Sequence, residues 1–231
     1  MGQRNVSLAF GEYYHIYNRG ADKRIIFKDD ADSRRFVELL YLSNTERSIN
    51  IRDIRKTNFS IFDFDREQQL VYIGIYCLMP NHFHILLTPL KEGGIQAFMQ
   101  KLLTAYSMYF NKRHERTGTL FQGRFKSQHA NSDEYLKYLF SYIHLNPVKL
   151  IQADWKESGI RDLERVKKYL DEYKYSSLND YFSGREESKI LDKDKFPEYF
   201  KGIEALDEEI LEWLTYREFV EGNTEPSLGR T

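Results

Sequence analysis

Residues 70–88 read LVYIGIYCLMPNHFHILLT, and this stretch decides the fold. Two apolar, β-favouring runs, Leu70–Leu78 and His82–Thr88, flank Met79-Pro80-Asn81, where proline and asparagine favour a turn. The pattern predicts an antiparallel hairpin. Upstream, Glu12–Asn18 (EYYHIYN) stops at Arg19-Gly20 and predicts a first strand. Asp29, Asp30 and Asp32 precede Phe36, Val37, Leu39, Leu40 and Leu42, so carboxylates stand where a helix dipole favours them, at the start of an amphipathic helix. Residues 48–69 are polar, alternating only over Ser60–Phe64, and predict an inserted loop or short hairpin.

Downstream of Gly93-Gly94, apolar residues from Ile95 to Phe110 recur at helical spacing, ending at the basic pair Lys112-Arg113. Leu120–His129 predicts a further strand or bulged hairpin around Gly123, and Ser132-Asp133-Glu134 opens a helix running toward Pro147. The order βαββαβα predicts an α+β, ferredoxin-like (RRM-like) antiparallel sheet with helices on one face. Arg161–Tyr173 and Leu206–Val220 predict helices beyond it. The expected organisation is a body over residues 1–150 and an acidic, mainly helical C-terminal extension over 151–231.

The 231 residues are 41% hydrophobic and 30% charged, enough for one substantial core. Cys77 is the single cysteine, which excludes an intrachain disulfide and a thiolate zinc cage. No apolar run approaches the roughly 18 residues that span a bilayer, and the polar start MGQRNVS is unlike a signal peptide. A cytoplasmic protein with no membrane partner is expected. The net charge of −1 hides an asymmetry: residues 1–150 carry 21 basic against 15 acidic side chains, residues 151–231 carry 13 against 20. The body is weakly basic, which permits a polyanionic partner without demanding one.

His82 and His84 alternate with Phe83 and Ile85, so on a strand both imidazoles share a face and can converge on one metal ion. A pair of hydrogen-bonded surface histidines would show the same pattern. Tyr142 and Asn146 lie one helical turn apart, so both emerge from one helix face. A phenol is a poor nucleophile near neutrality, because its pKa is about 10, and a nearby divalent cation helps by polarising the electrophile. A phosphodiester suits that role. Tyr135, Tyr138 and Tyr142 also fit an aromatic core stripe, so helix phase leaves Tyr138 and Tyr135 open as alternative nucleophiles. His15, His114, His129 and His144 lack paired spacing and are expected to be structural or surface residues.

The segments Tyr14–Gly20 (YHIYNRG), Leu78–Leu87 (LMPNHFHILL), Phe121–Lys126 (FQGRFK), Tyr142–Lys149 (YIHLNPVK) and Tyr175–Ser177 (YSS) together resemble the REP-associated tyrosine transposases. These lie within the HUH single-strand endonucleases and are related to single-tyrosine insertion-sequence transposases. The resemblance implies that His82 and His84 are paired metal ligands, that Tyr142 is the nucleophile forming a covalent phosphotyrosine link to DNA, and that Asn146 holds the third-ligand position. Oxygen and imidazole ligands beside a phosphate favour Mg2+ or Mn2+. It further implies a homodimer acting on hairpin-forming palindromic repeats in single-stranded DNA, in a cytoplasmic, nucleoid-associated setting. Arg19, Lys112, Arg113, Arg124 and Lys126 lie beside these motifs or at the basic helix end and are expected phosphate contacts. The 48–69 insertion and the acidic region after about residue 183 depart from the family pattern. Two other functions fit the residues: a non-catalytic single-stranded nucleic-acid-binding module, and a hydrolase using a metal-bound water.

Overall fold

The computed structural model describes residues 8–56, 59–181 and 183–199. Its sheet is antiparallel and four-stranded, formed by β1 (Tyr14–Arg19), β2 (Val71–Met79), β3 (His82–Pro89) and β4 (Lys126–His129) in the order β2-β3-β1-β4. The expected hairpin runs from Val71↔Pro89 to Met79↔His82, with a register shift between Ile73 and Ile75. At the intervening Gly74 a Cβ would come within 2.7 Å of the Phe196 ring, so glycine is what lets the later chain close on the strand.

Strand alternation sorts side chains into two layers. Tyr14 and Ile16 of β1 and Phe83, Ile85 and Leu87 of β3 enter a core with α1 (Asp30–Leu42), a single-turn α2 (Ile51–Ile54) and α3 (Gly94–Arg113). Asp29 caps α1, accepting from the Asp32 amide at 3.1 Å. The α+β, ferredoxin-like class is the observed one, with α1 and α3 on one face as expected. The opposite face is also covered: α4 (Asp133–Leu145) packs there, its Leu139, Phe140, Tyr142 and Ile143 joining Ile75, Cys77, Met79 and Leu86 in a second core. Ser132 caps α4, accepting from the Tyr135 amide at 3.1 Å. At Pro147, which has no N–H to donate, the helix passes into a 3-10 turn over Asn146–Leu150.

Three expected elements differ in detail. Leu120–His129 pairs as a strand only over β4; Phe121 makes an isolated bridge to Gly20, and Gly123 takes the left-handed φ of 69° that turns the chain. Within 48–69 the described residues form α2 and a 3-10 turn over Ile61–Asp63, with no strand. The alternation there serves α1: Phe62 packs edge-on to Tyr41, whose hydroxyl donates to the Phe64 carbonyl at 2.9 Å. The Arg161–Tyr173 helix is α6 (Leu163–Glu172), preceded by the unanticipated single turn α5 (Trp155–Ser158). Leu206–Val220 lies outside the described residues.

The later chain fastens the exposed edge of β2. Leu78 donates to the Tyr175 carbonyl and the Ser177 amide to the Tyr76 carbonyl, both at 2.9 Å, so the YSS segment occupies the place of a neighbouring strand. The Tyr76 hydroxyl donates to Asp180 at 2.7 Å and the Ile73 amide to Asp192 at 3.0 Å. These two acidic residues of the extension are therefore structural partners of the sheet. No described helix is long and apolar enough to cross a membrane.

Candidate active site

The sheet face under α4 carries His82 and His84 from β3 and His15, Tyr17 and Arg19 from β1. Antiparallel register sets Tyr17 opposite His84 and Arg19 opposite His82. Diagonal to that pair, His15 Nε2 lies 2.8 Å from His84 Nδ1, with both side chains buried. His84 Nε2 has no hydrogen-bond partner among the described residues. His82 Nδ1 lies 2.6 Å from Asn81 Oδ1. An amide oxygen only accepts, so the proton sits on Nδ1 and the Nε2 lone pair is left available.

Burial lowers the pKa of His82 to about 4, helped by the charges of Lys149, Lys156 and Arg19, and lowers that of His84 well below the usual range, helped by His15, His82 and Lys156. Both imidazoles are neutral near pH 7, the form a metal ligand requires. A buried nitrogen without a partner among the described residues, beside a second neutral imidazole, is a donor pair that a divalent cation could use; among the described residues no cluster of three His, Cys, Asp or Glu side chains is placed to hold one, here or elsewhere.

Tyr142 projects from α4 onto this pair within the same chain. Its ring centroid is 5.7 Å from that of His84 and 6.1 Å from that of His15, edge-on to each. Tyr138 stacks on Tyr142 at 5.6 Å and Tyr135 on Tyr138 at 5.8 Å, so of the three stripe tyrosines it is Tyr142 that meets the imidazoles. Burial raises the Tyr142 pKa, opposed by the Asn146 side chain. Asn146 is itself buried, and its Nδ2 donates to the Tyr142 carbonyl at 2.8 Å, which leaves Oδ1 as its acceptor. Among the described residues no hydrogen bond joins Asn146 to either histidine of the pair.

The expected phosphate contacts separate. Arg19 stands beside His82 and donates to Gln122. Arg124 and Lys126 are exposed, the latter with its ammonium 5.9 Å from the Tyr17 ring centre. Lys112 and Arg113 end α3, which belongs to the opposite layer. Arg113 is committed to Asp29 at 2.7 and 2.8 Å and to buried Asp32 at 2.5 Å, so its charge is already used inside the fold. His144 is structural, as expected: fully buried, with Nε2 2.9 Å from Ser177 Oγ, it ties α4 to the YSS segment. His15, expected to be structural or exposed, is fully buried and partners His84. Its signal was available in the period-2 face it shares with Tyr17 and Arg19, but the partner strand was not.

Comparison with known proteins bears on the part of the chain that holds this site. Residues 37–146, just under half of the chain, match the family model described as "Transposase IS200 like". The matched segment, which is similar to IS200-like transposases, holds the β2–β3 hairpin, both histidines, Tyr142 and Asn146. A solved structure described as "Structure of the REP associates tyrosine transposase bound to a REP hairpin" aligns over 78% of this chain and 84% of its own, at 12% identity and a TM-score of 0.43. No curated protein matches the chain.

Proposed function

We propose that this protein is an IS200-like transposase, a metal-dependent single-stranded DNA endonuclease and strand transferase that recognises hairpin-forming repeats and cleaves through a 5′-phosphotyrosine at Tyr142. The observation that carries the reading is the contact of Tyr142 with His84, whose Nε2 is buried and has no partner among the described residues. His82 and His84 would hold Mg2+ or Mn2+, with Asn146 as the oxygen donor. When bound, the cation polarises the scissile phosphate. Tyr142 supplies the oxygen that forms the new bond to phosphorus, and the sugar 3′ oxygen leaves and takes up a proton. Burial of the phenol and its packing between Tyr138 and the imidazoles hold it in one orientation.

The resemblance also implies a homodimer. The meeting of Tyr142 and His84 within one chain favours a site assembled in each copy of such a dimer. The binding-module reading loses support from α4, which covers the sheet face that an RRM-like module would leave open for stacked bases.

The test uses a 3′-labelled pool of single-stranded oligonucleotides carrying a hairpin stem with randomised flanks. Wild-type protein with Mg2+ or Mn2+ should give a labelled protein band on denaturing gels. Tyr142→Phe should lose the band and the cleavage while keeping hairpin binding, and His82→Ala should lose both products. Cleavage with no labelled protein would replace this reading with the hydrolase.

A further inference from the structure

Lys156 lies outside the matched 37–146 segment, on α5, in the part of the chain where acidic side chains predominate. Its neighbour Trp155 is fully buried in the core under α4 and anchors the turn. From that anchor the Lys156 ammonium reaches over the Tyr142 ring, 4.3 Å from its centre. Its charge is also felt at both His82 and His84. One cation therefore lies over the proposed nucleophile and within electrostatic range of the imidazole pair, where the reading above puts the scissile phosphate.

We propose that Lys156 is a phosphate-binding catalytic residue, which leaves the face of Tyr142 to pair with a non-bridging oxygen of the scissile phosphodiester. The inference rests on the proposed strand-transfer function. A phosphate oxygen bears a full charge and accepts a charge-assisted hydrogen bond, so it is a stronger partner for an ammonium than a ring quadrupole. Without DNA the cation lies over the ring, close to the site; with DNA the phosphate engages it. In the transfer step the Tyr142 oxygen–phosphorus bond forms and the phosphorus–O3′ bond breaks. The phenolic proton goes to solvent and the departing 3′ oxygen takes one up, while Lys156 stays protonated throughout and stabilises the charge on the transferring group. The extension thus contributes a residue to the site.

The experiment measures the rate of labelled-protein formation by the full chain at saturating hairpin pool, with hairpin affinity by gel shift and melting temperature recorded in parallel. Lys156→Met and Lys156→Gln should slow adduct formation roughly 100-fold, the scale for removing one charge-stabilising donor. Hairpin affinity should stay within about threefold, since many other phosphate contacts remain. Lys156→Arg, which keeps the charge, should recover the rate to within about tenfold of wild type. Wild-type adduct rates in Lys156→Met overturn this assignment and leave Tyr142 chemistry standing. An equal loss in the Arg, Met and Gln variants, or a loss that tracks a fallen melting temperature, overturns it as well. No adduct from wild type overturns both this inference and the function beneath it.

Discussion

Replacing His15 with leucine removes the partner that His84 Nδ1 has among the described residues, 2.8 Å away in a buried pair. For His84 to bind a cation through Nε2, its proton must sit on Nδ1, and His15 Nε2 is the acceptor that receives it. In His15→Leu the metal-free protein can move the proton to Nε2, but the loaded form cannot. That form then bears a buried, unpaired N–H, at about 1–3 kcal/mol. The corresponding fall in affinity is about 10- to 100-fold, the range seen when partners of metal-bound imidazoles are removed. Mn2+ titration followed by the electron paramagnetic resonance of the free ion, without DNA, reads this directly. His15→Gln, whose amide oxygen can accept, should recover part of the affinity. If His15→Leu keeps its melting temperature and binds Mn2+ as tightly as wild type, the cation is not held by His84 in the tautomer deduced here.

Acid should weaken the metal-free fold well above the carboxylate range. Burial lowers the pKa of His15 and of His144 to about 3, so the folded state keeps both neutral while the unfolded chain protonates them near 6.5. Their contribution is complete above pH 6.5 and is lost as the pH falls toward 3, with roughly 2 kcal/mol each gone at pH 5 relative to pH 7. Guanidinium unfolding with chelator at the two pH values checks this, and equal stabilities would refute it. Tyr76→Phe leaves buried Asp180 with Arg185 but without its phenol donor, and should destabilise by about 1–3 kcal/mol in the same assay. No loss would mean that this hydrogen bond does not fasten the extension to β2.

Much of the framework was legible because it is written in short-range pattern. The β2–β3 hairpin, the Asp29 and Ser132 helix starts and the shared face of His82 and His84 follow from period, cap chemistry and turn residues, all local in the chain. The α5 turn was not legible, since four residues give no period to read. The alternation over Ser60–Phe64 misled because a 3-10 turn packed on a helix also buries apolar side chains between polar ones, here Ile61, Phe62 and Phe64 around Asp63.

Sequence by itself determined the class of sheet, the pairing of two imidazoles on one strand and the choice among a few tyrosines on one helix. Tertiary structure decided the rest: that α4 crosses the opposite face, that Tyr142 rather than Tyr138 or Tyr135 meets His84, that His15 backs His84, and that Lys156 overhangs the phenol. Each of those contacts joins residues far apart in the chain, and side-chain period says which way a residue faces along its own element but not which element it will face.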